Sequence, residues 1–271
     1  MPVKREASGR RSVTLELEVE GTPEQVWEAV ATGPGISSWF VPAKVEEREG
    51  GAMNFDFGSM GSSPATVTRW DPPRVFAYEE REWLPGAPPV ATELTVETRG
   101  GGTCIVRMVH SLFTSDESWD KQLEGFESGW PTFFEVLKQR LSRFAGQPFA
   151  AVRASRAITG SIEDVWTALA ADLGLAGAAD GQRVQSRGDA PPLAGVVRRL
   201  WHGTHHEALI ELERPASGFG LFSAYSWGGN GSASMTLYLF GADAAQAAAE
   251  EEFGWRSWLA SRVEAVPAQE V

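Results

Sequence analysis

Cysteine is almost absent from this chain of 271 residues, which contains one, Cys104. A single cysteine excludes an internal disulfide framework and is typical of proteins from a reducing compartment. Long apolar runs are absent too. No segment has the length and hydropathy of a membrane span, and the basic start of the chain is not followed by the apolar stretch of a secretory signal. We therefore expect a cytoplasmic protein.

Basic residues are also scarce, since 24 Lys and Arg stand against 36 Asp and Glu and give a formal net charge of −12. Protein binding to nucleic acid draws its affinity from phosphate contacts by Lys and Arg, so this balance argues against a nucleic-acid partner. No lysine follows a glycine, and the G-x-S-x-G pattern is missing. Phosphoryl transfer, dinucleotide binding and hydrolase-elbow chemistry are therefore unsupported, and we expect no cofactor.

A repeated segment organises the chain. Residues 21–31, GTPEQVWEAVA, recur as residues 160–170, GSIEDVWTALA, with six identical positions. Both copies have the pattern of a helix start, with Thr22 and Ser161 as hydroxyl N-caps and Pro23 at the first helical position. The repeat indicates two copies of one fold.

A second repeated motif predicts the start of a closing helix in each half, at Gly129-Trp130 and at Gly254-Trp255. Gly146-Gln147-Pro148 punctuates the chain between the first closing helix and a new strand. The sequence therefore predicts two tandem domains, residues 1–146 and 147–271, of which the second is shorter and divergent.

Between its helices the first half reads as a series of short strands. Residues 13–20 alternate apolar and polar side chains, as do several segments between residues 44 and 110, and Asp71-Pro72-Pro73 and Gly100-Gly101-Gly102 supply turns. The pattern predicts an antiparallel sheet curled over the closing helix. The chain has 11 Trp and 14 Phe, enough to line a cavity as well as to fill a core.

Several motifs of the first half resemble the START-like, or SRPBCC, superfamily. In order they are Pro23–Ala29, Trp39-Phe40-Val41-Pro42, Glu49-Gly50-Gly51, Asp71-Pro72-Pro73, Val109-His110-Ser111 and Gly129-Trp130. More narrowly, the first half is similar to bacterial homologues of the C-terminal domain of the activator of the ninety-kilodalton heat-shock-protein ATPase. The second half shares the helix start, Gly254-Trp255 and a strand-rich middle, but it has no counterpart of Trp39–Pro42.

The resemblance implies an α+β protein with two tandem helix-grip (START-like) domains. In each, a curved antiparallel β-sheet wraps around a long C-terminal helix and leaves a cavity between them. Across that superfamily the cavity holds apolar ligands such as lipids, sterols and polyketides, and some members are cyclases or other enzymes. No catalytic residue set is shared across it, so the resemblance assigns no catalytic residue here.

We predict that aromatic side chains line the cavity of the first domain, with two polar groups among them. The candidate ligand-binding residues are Trp39, Phe40, Phe55, Phe57, Tyr78, Glu80, Met108, His110, Trp130 and Phe134. Aromatic walls of this kind suit a flat or ring-containing ligand.

His110 and Glu80 each allow two interpretations. Strand alternation places His110 on the same face as Met108, toward the cavity, where it is either a hydrogen-bonded structural residue or a ligand contact. Glu80 shares a face with Tyr78, and it either points inward or lies where the strand has left the core, next to Arg81. If both groups point inward, they could orient a polar head or move a proton.

The only histidine cluster is His202-Gly203-Thr204-His205-His206. It lacks the second histidine of a zinc-protease helix, and no Cys or Asp lies near it in sequence. We interpret it as a polar turn between two strands and expect no metal site.

We expect a binding protein, whose first domain holds a small hydrophobic or amphipathic ligand. Two alternatives stay open: a cyclase or dehydratase-type enzyme that uses the same cavity, and a co-chaperone-like activator of a heat-shock ATPase. The expected partners are a small hydrophobic or aromatic ligand and, through the second domain, a protein. No nucleic acid and no membrane insertion are expected, and the oligomeric state stays open.

Overall fold

The structure, a computed structural model, describes residues 4–5, 10–81, 83, 86–114, 116, 119–203, 205–227 and 229–264, without the side chains of residues 5, 10, 120–128 and 227. The chain divides into two compact units, Met1–Phe57 with Gly61–Ala145 and Gly146–Val271 with Gly58–Met60. In each unit an antiparallel sheet precedes a long helix at the C-terminal end.

The strands of the first sheet are β1 (Lys4–Arg5), β2 (Arg10–Glu20), β3 (Ala43–Val45), β4 (Ala52–Asp56), β5 (Ser62–Asp71), β6 (Val75–Glu80), β7 (Val90–Arg99) and β8 (Thr103–Phe113). The helices are α1 (Pro23–Ala31), α2 (Gly33–Ser37) and α3 (Asp120–Arg143), and Gly58–Met60 form a 3-10 turn. Within the described residues the strand order is β1-β2-β8-β7-β6-β5-β4-β3, and α3 packs along β2.

Local sequence signals explain the first elements. On β2, Val13 and Val19 are buried whereas the glutamates between them are exposed, as the alternation predicts. At the start of α1, Thr22 Oγ1 accepts a hydrogen bond from the N–H of Gln25 at 3.4 Å, and Gln25 Oε1 accepts one from the N–H of Thr22 at 2.9 Å. This reciprocal capping satisfies two N–H groups that have no partner within the helix.

Two predicted turns between neighbouring strands are confirmed. Strand β5 ends at Asp71 and β6 begins at Val75, while β7 ends at Arg99 and β8 begins at Thr103. In the second turn, Gly101 and Gly102 have φ values of +86° and +81°. Residues with a side chain rarely adopt these positive φ values, which explains why glycine occupies both positions.

The closing helix of the first unit begins earlier than predicted. Helix α3 starts at Asp120, so Gly129 and Pro131 lie inside it rather than in its first turn. Proline normally fits the first turn of a helix, but here the helix continues through Pro131. Glycine within a helix costs only about 1 kcal/mol relative to alanine, a penalty that neighbouring turns outweigh.

The second unit has a six-stranded antiparallel sheet in its described residues. Its strands are β9 (Phe149–Ile158), β10 (Arg183–Gln185), β11 (Ala194–His202), β12 (His206–Arg214), β13 (Gly218–Trp227) and β14 (Asn230–Phe240), in the order β10-β11-β12-β13-β14-β9. Its helices are α4 (Ile162–Asp172) and α5 (Ala244–Glu264), and α5 packs along β9 and β14. Ser161 caps α4 as predicted, since its hydroxyl accepts from the N–H of Asp164.

Two local features of the second unit depart from what its sequence suggests. Asn-Gly is a preferred pair for a hairpin turn, but Asn230 and Gly231 begin β14, and Asn230 pairs with Trp227. Of the two residues between Trp227 and Asn230, Gly229 has a φ of +84° and Gly228 lies outside the described residues. Helix α5 begins at Ala244 rather than at Gly254, because the alanine-rich stretch before Gly254 favours helix strongly.

Both units thus have the helix-grip architecture that the sequence predicts, a curved antiparallel sheet around a long C-terminal helix. The second unit is the shorter version, with fewer strands. Among the described residues, no helix is long and apolar enough to span a membrane.

Candidate functional site

The aromatic residues predicted for the first unit converge between its sheet and α3. Trp39 and Phe40 follow α2, where the indole Nε1 of Trp39 donates to a backbone carbonyl of α1 at 2.8 Å. The ring centroid of Phe40 lies 4.7 Å from that of Trp130 on α3 and 5.8 Å from that of Phe55 on β4. The Phe55 ring lies 5.4 Å from the ring of Tyr78 on β6.

The same cluster extends along α3 and toward the rim of the sheet. Phe134 lies 5.7 Å from Trp130, between ring centroids. Phe133 and Phe57 are half-buried, and their rings lie 4.7 Å and 6.1 Å from that of Phe40. Phe133 was not among the predicted site residues, although it belongs to the apolar stripe of the closing helix.

These side chains leave little open space between the sheet and α3. The cavity measures about 10 Å³ and is lined by Val30, Ile36, Trp39, Phe40, Phe55, Tyr78, Leu94, Met108 and Trp130. A water molecule needs roughly 10–15 Å³ of such space, whereas ligand pockets usually enclose about 300–1,000 Å³. In this conformation the predicted walls therefore meet and fill the interior.

A row of polar side chains crosses the inner face of the same sheet. Thr92 on β7 lies directly opposite both His110 on β8 and Tyr78 on β6. The Oγ1 atom of Thr92 is 2.8 Å from Nδ1 of His110, and its hydroxyl also hydrogen-bonds Tyr78. All three side chains are buried. A single threonine hydroxyl thus links three neighbouring strands.

The two ring-bearing members of this row are neutral at neutral pH. Burial lowers the pKa of His110 to about 3, and its ring stacks on Trp130 with centroids 5.3 Å apart. Burial also raises the pKa of Tyr78, as does the nearby charge of Glu80, while the hydrogen bond to Thr92 opposes the shift. The row offers neutral donors and acceptors within an aromatic interior.

Glu80 extends the row toward the edge of the sheet. Its Oε1 accepts a hydrogen bond from the hydroxyl of Ser63 on β5 at 2.6 Å, and its side chain is half-buried. Burial raises the pKa of Glu80 to about 7, against the opposing effect of the Ser63 hydrogen bond. The guanidinium of Arg81 pairs instead with Glu79, at 2.6 Å. Near neutral pH the Glu80 carboxyl can therefore either accept or donate a proton. We call Ser63, Tyr78, Glu80, Thr92 and His110 the polar row.

Most of the first unit matches a known protein family. Residues 20–142 match the family model described as "Activator of Hsp90 ATPase homolog 1-like protein". The match contains every member of the polar row and every predicted site residue. The match covers most of the first unit, which is similar to this family and which we call the activator-homologue unit. No curated protein matches the chain.

Several solved structures are similar to about half of this chain or to most of it. A protein from Mesorhizobium loti is 25% identical, covers 49% of this chain and 98% of its own, and has a TM-score of 0.45. The Aha1 dimer from Colwellia psychrerythraea is 17% identical, with 49% and 96% covered and a TM-score of 0.39. The di-domain ARO/CYC BexL from the BE-7585A biosynthetic pathway is 14% identical, with 96% and 100% covered and a TM-score of 0.47.

Sequence reasoning missed two members of the polar row in the activator-homologue unit. Thr92 stands in the same alternation as Leu94, so its inward direction was available from the pattern. Ser63 alternates with Ala65 in the same way on β5. Neither was recognised, because threonine and serine are common in strands and the pattern does not show which of them faces a histidine or a carboxylate.

The histidine cluster of the second unit lies at a hairpin, as predicted. His202 is the last residue of β11 and His206 the first of β12, while Thr204 lies outside the described residues. In the part of the chain that the structure describes, no group of three or more His, Cys, Asp or Glu side chains could hold a metal ion.

Proposed function

We propose that the activator-homologue unit binds a small, ring-containing and largely apolar ligand between its sheet and α3. The observation that carries the proposal is the polar row, which lies on the inner face of the sheet among buried aromatic rings. Buried polar groups are costly unless they form hydrogen bonds, and an all-apolar core would avoid that cost. A polar row of this kind could form hydrogen bonds with the polar groups of an amphipathic ligand.

The protonation states define the ligand class. His110 and Tyr78 are neutral, and Thr92 offers a hydroxyl between them. Neutral donors and acceptors in a dry interior favour a hydroxyl, carbonyl or phenol over an ion, because an unpaired buried charge is far more costly than a neutral polar group. The expected ligand therefore carries neutral oxygen groups on a ring system.

Binding requires the interior to open, because the present cavity of about 10 Å³ holds no such molecule. The rings of Phe57 and Phe133 are half-buried and pack on Phe40, so they form a rim at which the interior can open toward solvent. A binding-competent state that is only partly populated weakens the apparent affinity in proportion to its population. Enlarging the rim should therefore strengthen binding.

The family description concerns an ATPase activator, and that alternative calls for a protein interface. The polar row lies inside the unit, where a small molecule and not a protein surface would reach it. Its position supports small-molecule binding as the first choice.

A second candidate function rests on Glu80, whose pKa of about 7 suits a general acid or base at neutral pH. Such an enzyme would move a proton on the same bound ligand. His110 fits this chemistry less well, because an imidazole with a pKa of about 3 is a weak base and serves better as a hydrogen-bonding group.

The proposal is tested with the full-length protein. Native mass spectrometry would show a retained small molecule, and titration with 1-aminoanthracene, a neutral ring-containing fluorophore, would measure affinity. We expect Phe57→Ala, which enlarges the rim, to bind the fluorophore several-fold more tightly, and Thr92→Val to weaken the binding of hydroxylated ligands by roughly 0.5–1.5 kcal/mol. Phe253, 82% exposed on α5, provides the matched control, since Phe253→Ala should bind as the wild type does.

Equal affinity for the fluorophore in wild type and Phe57→Ala would mean that the fluorophore binds elsewhere, and equal affinity for hydroxylated ligands in wild type and Thr92→Val would mean that the polar row takes no part. Either result would contradict the proposal. For an identified ligand, Glu80→Gln separates the two candidate functions. A pure binder should keep its affinity largely unchanged, whereas an enzyme that depends on Glu80 should lose roughly a hundredfold or more in turnover.

A further inference from the structure

We propose that His202 and His206 of the second unit form a chelating pair for a divalent transition-metal ion. The two residues pair directly across β11 and β12 at the hairpin. Their Nδ1 atoms lie 3.3 Å apart. Two imidazole nitrogens that bind one Zn²⁺ at about 2.0–2.1 Å in tetrahedral geometry are about 3.3–3.4 Å from each other. The pair therefore has the spacing of a chelate.

The ring of His206 is held in the orientation that a metal ligand needs. It stacks on Trp166 of α4, with centroids 5.6 Å apart and an interplanar angle of 13°. Its Nε2 lies 2.8 Å from Oε2 of Glu163, one turn earlier on the same helix. Ligating histidines usually donate their outer N–H to a carboxylate in this way, which directs the lone pair of the other nitrogen to the metal.

The proton balance of binding is simple. When Nε2–H of His206 donates to Glu163, Nδ1 of His206 is an acceptor, and the Nδ1–H of His202 donates to it. On metal binding that proton moves to Nε2 of His202, a transfer that water can carry because His202 is exposed. This transfer takes place within His202 and releases no proton from the pair, and water molecules complete the coordination.

The donor set selects the metal. Imidazole suits Zn²⁺, Ni²⁺ and Cu²⁺, whereas Mg²⁺ and Ca²⁺ prefer oxygen ligands. A bound ion would link β11 to β12 through His202 and His206, and the ring of His206 already packs on Trp166 of α4. Because the unfolded chain lacks this geometry, the ion would stabilise the folded second unit by mass action.

Calorimetric titration of the full-length protein with ZnCl₂, NiCl₂ or CuCl₂ alone tests the proposal. The chain has four histidines, so single variants resolve their contributions. We expect saturable binding of one ion, a loss of at least tenfold in affinity in both His202→Ala and His206→Ala, and no binding of MgCl₂. His205→Ala is the matched control, because His205 lies beside Trp201 and outside the pair, and this variant should bind as the wild type does.

Glu163→Gln tests the orienting contact without removing a ligand, and it should weaken binding by roughly tenfold. Electron paramagnetic resonance of the Cu²⁺ complex should show two imidazole nitrogens in wild type and one in His202→Ala. The proposal is overturned if the wild type shows no saturable binding, if His202→Ala binds as tightly as the wild type, or if His205→Ala loses as much affinity as His202→Ala.

Discussion

The hydroxyl oxygen of Thr92 lies 2.8 Å from Nδ1 of His110, and both side chains are buried between neighbouring strands of the first sheet. The same hydroxyl hydrogen-bonds Tyr78 on the other neighbouring strand. Within an aromatic interior of little open volume, this threonine determines how the two larger polar side chains are held.

Replacing Thr92 by valine should destabilise the first unit. Thr92→Val keeps the shape of the side chain but leaves buried partners without their hydrogen bond, at a cost of about 1–3 kcal/mol. Urea unfolding of the full-length protein measures the change. Thr95→Val is the matched control on β7, because the Thr95 hydroxyl has no hydrogen-bond partner among the described residues, so this variant should be neutral or slightly more stable. Equal losses in the two variants would contradict the assigned role of Thr92.

Glu80 should make stability fall as pH rises. Its pKa is about 7 in the folded state against an ordinary value of 4.5, so between these pH values the folded state binds a proton that the unfolded state has lost. The stabilisation is fully present below about pH 4.5 and is lost as pH rises through 7. Glu80→Gln cannot ionise and should flatten this dependence, gaining about 1–3 kcal/mol relative to the wild type between pH 5 and pH 8.

Urea midpoints between pH 5 and pH 8 measure the effect of Glu80→Gln. Glu79→Gln serves as the control, since Glu79 is the neighbouring carboxylate and pairs with Arg81. If Glu80→Gln and Glu79→Gln change the pH profile equally, burial of Glu80 is not the cause.

Asp172 should contribute substantially to the stability of the second unit. Its Oδ2 accepts hydrogen bonds from Nε1 of Trp258 at 2.8 Å and from Nε of Arg262 at 2.5 Å, joining α4 to α5. Asp172→Asn removes the charge from this half-buried contact and should cost about 1–3 kcal/mol. Asp189 also pairs with Arg262, but its side chain is 90% exposed.

Asp189→Asn is therefore the comparison for Asp172→Asn, and it should cost well under about 1 kcal/mol, as exposed ion pairs do. Thermal unfolding of both variants decides the point. Similar melting temperatures for the two would show that the contact between α4 and α5 contributes little.

A fragment of residues 1–146 should fold alone. The described strands of this fragment pair only with one another, and with α3 they form a compact unit. Circular dichroism and a single cooperative melt would support this boundary. A fragment with no sharp transition would show that the two units depend on one another for stability.

Much of the fold followed from local sequence patterns. Three features each depend on a few neighbouring residues: the alternation of β2, the capping box at Thr22 and the glycine turn before β8. Such local features can be predicted from the sequence. The starts of α3 and α5 were misjudged because Gly129 and Gly254 weaken a helix only locally, while the turns around them decide its extent.

Sequence patterns are enough to predict the two-fold repeat, the helix-grip architecture and the inward direction of the aromatic residues and of His110. Three features depend on how distant segments pack: the aromatic rings meet and nearly close the cavity, Thr92 stands between Tyr78 and His110, and the Nδ1 atoms of His202 and His206 come together. The direction in which a side chain points follows from strand alternation. The distance between the sheet and the helix depends on how distant segments pack, and a difference of a few ångströms turns a lined pocket into a filled core.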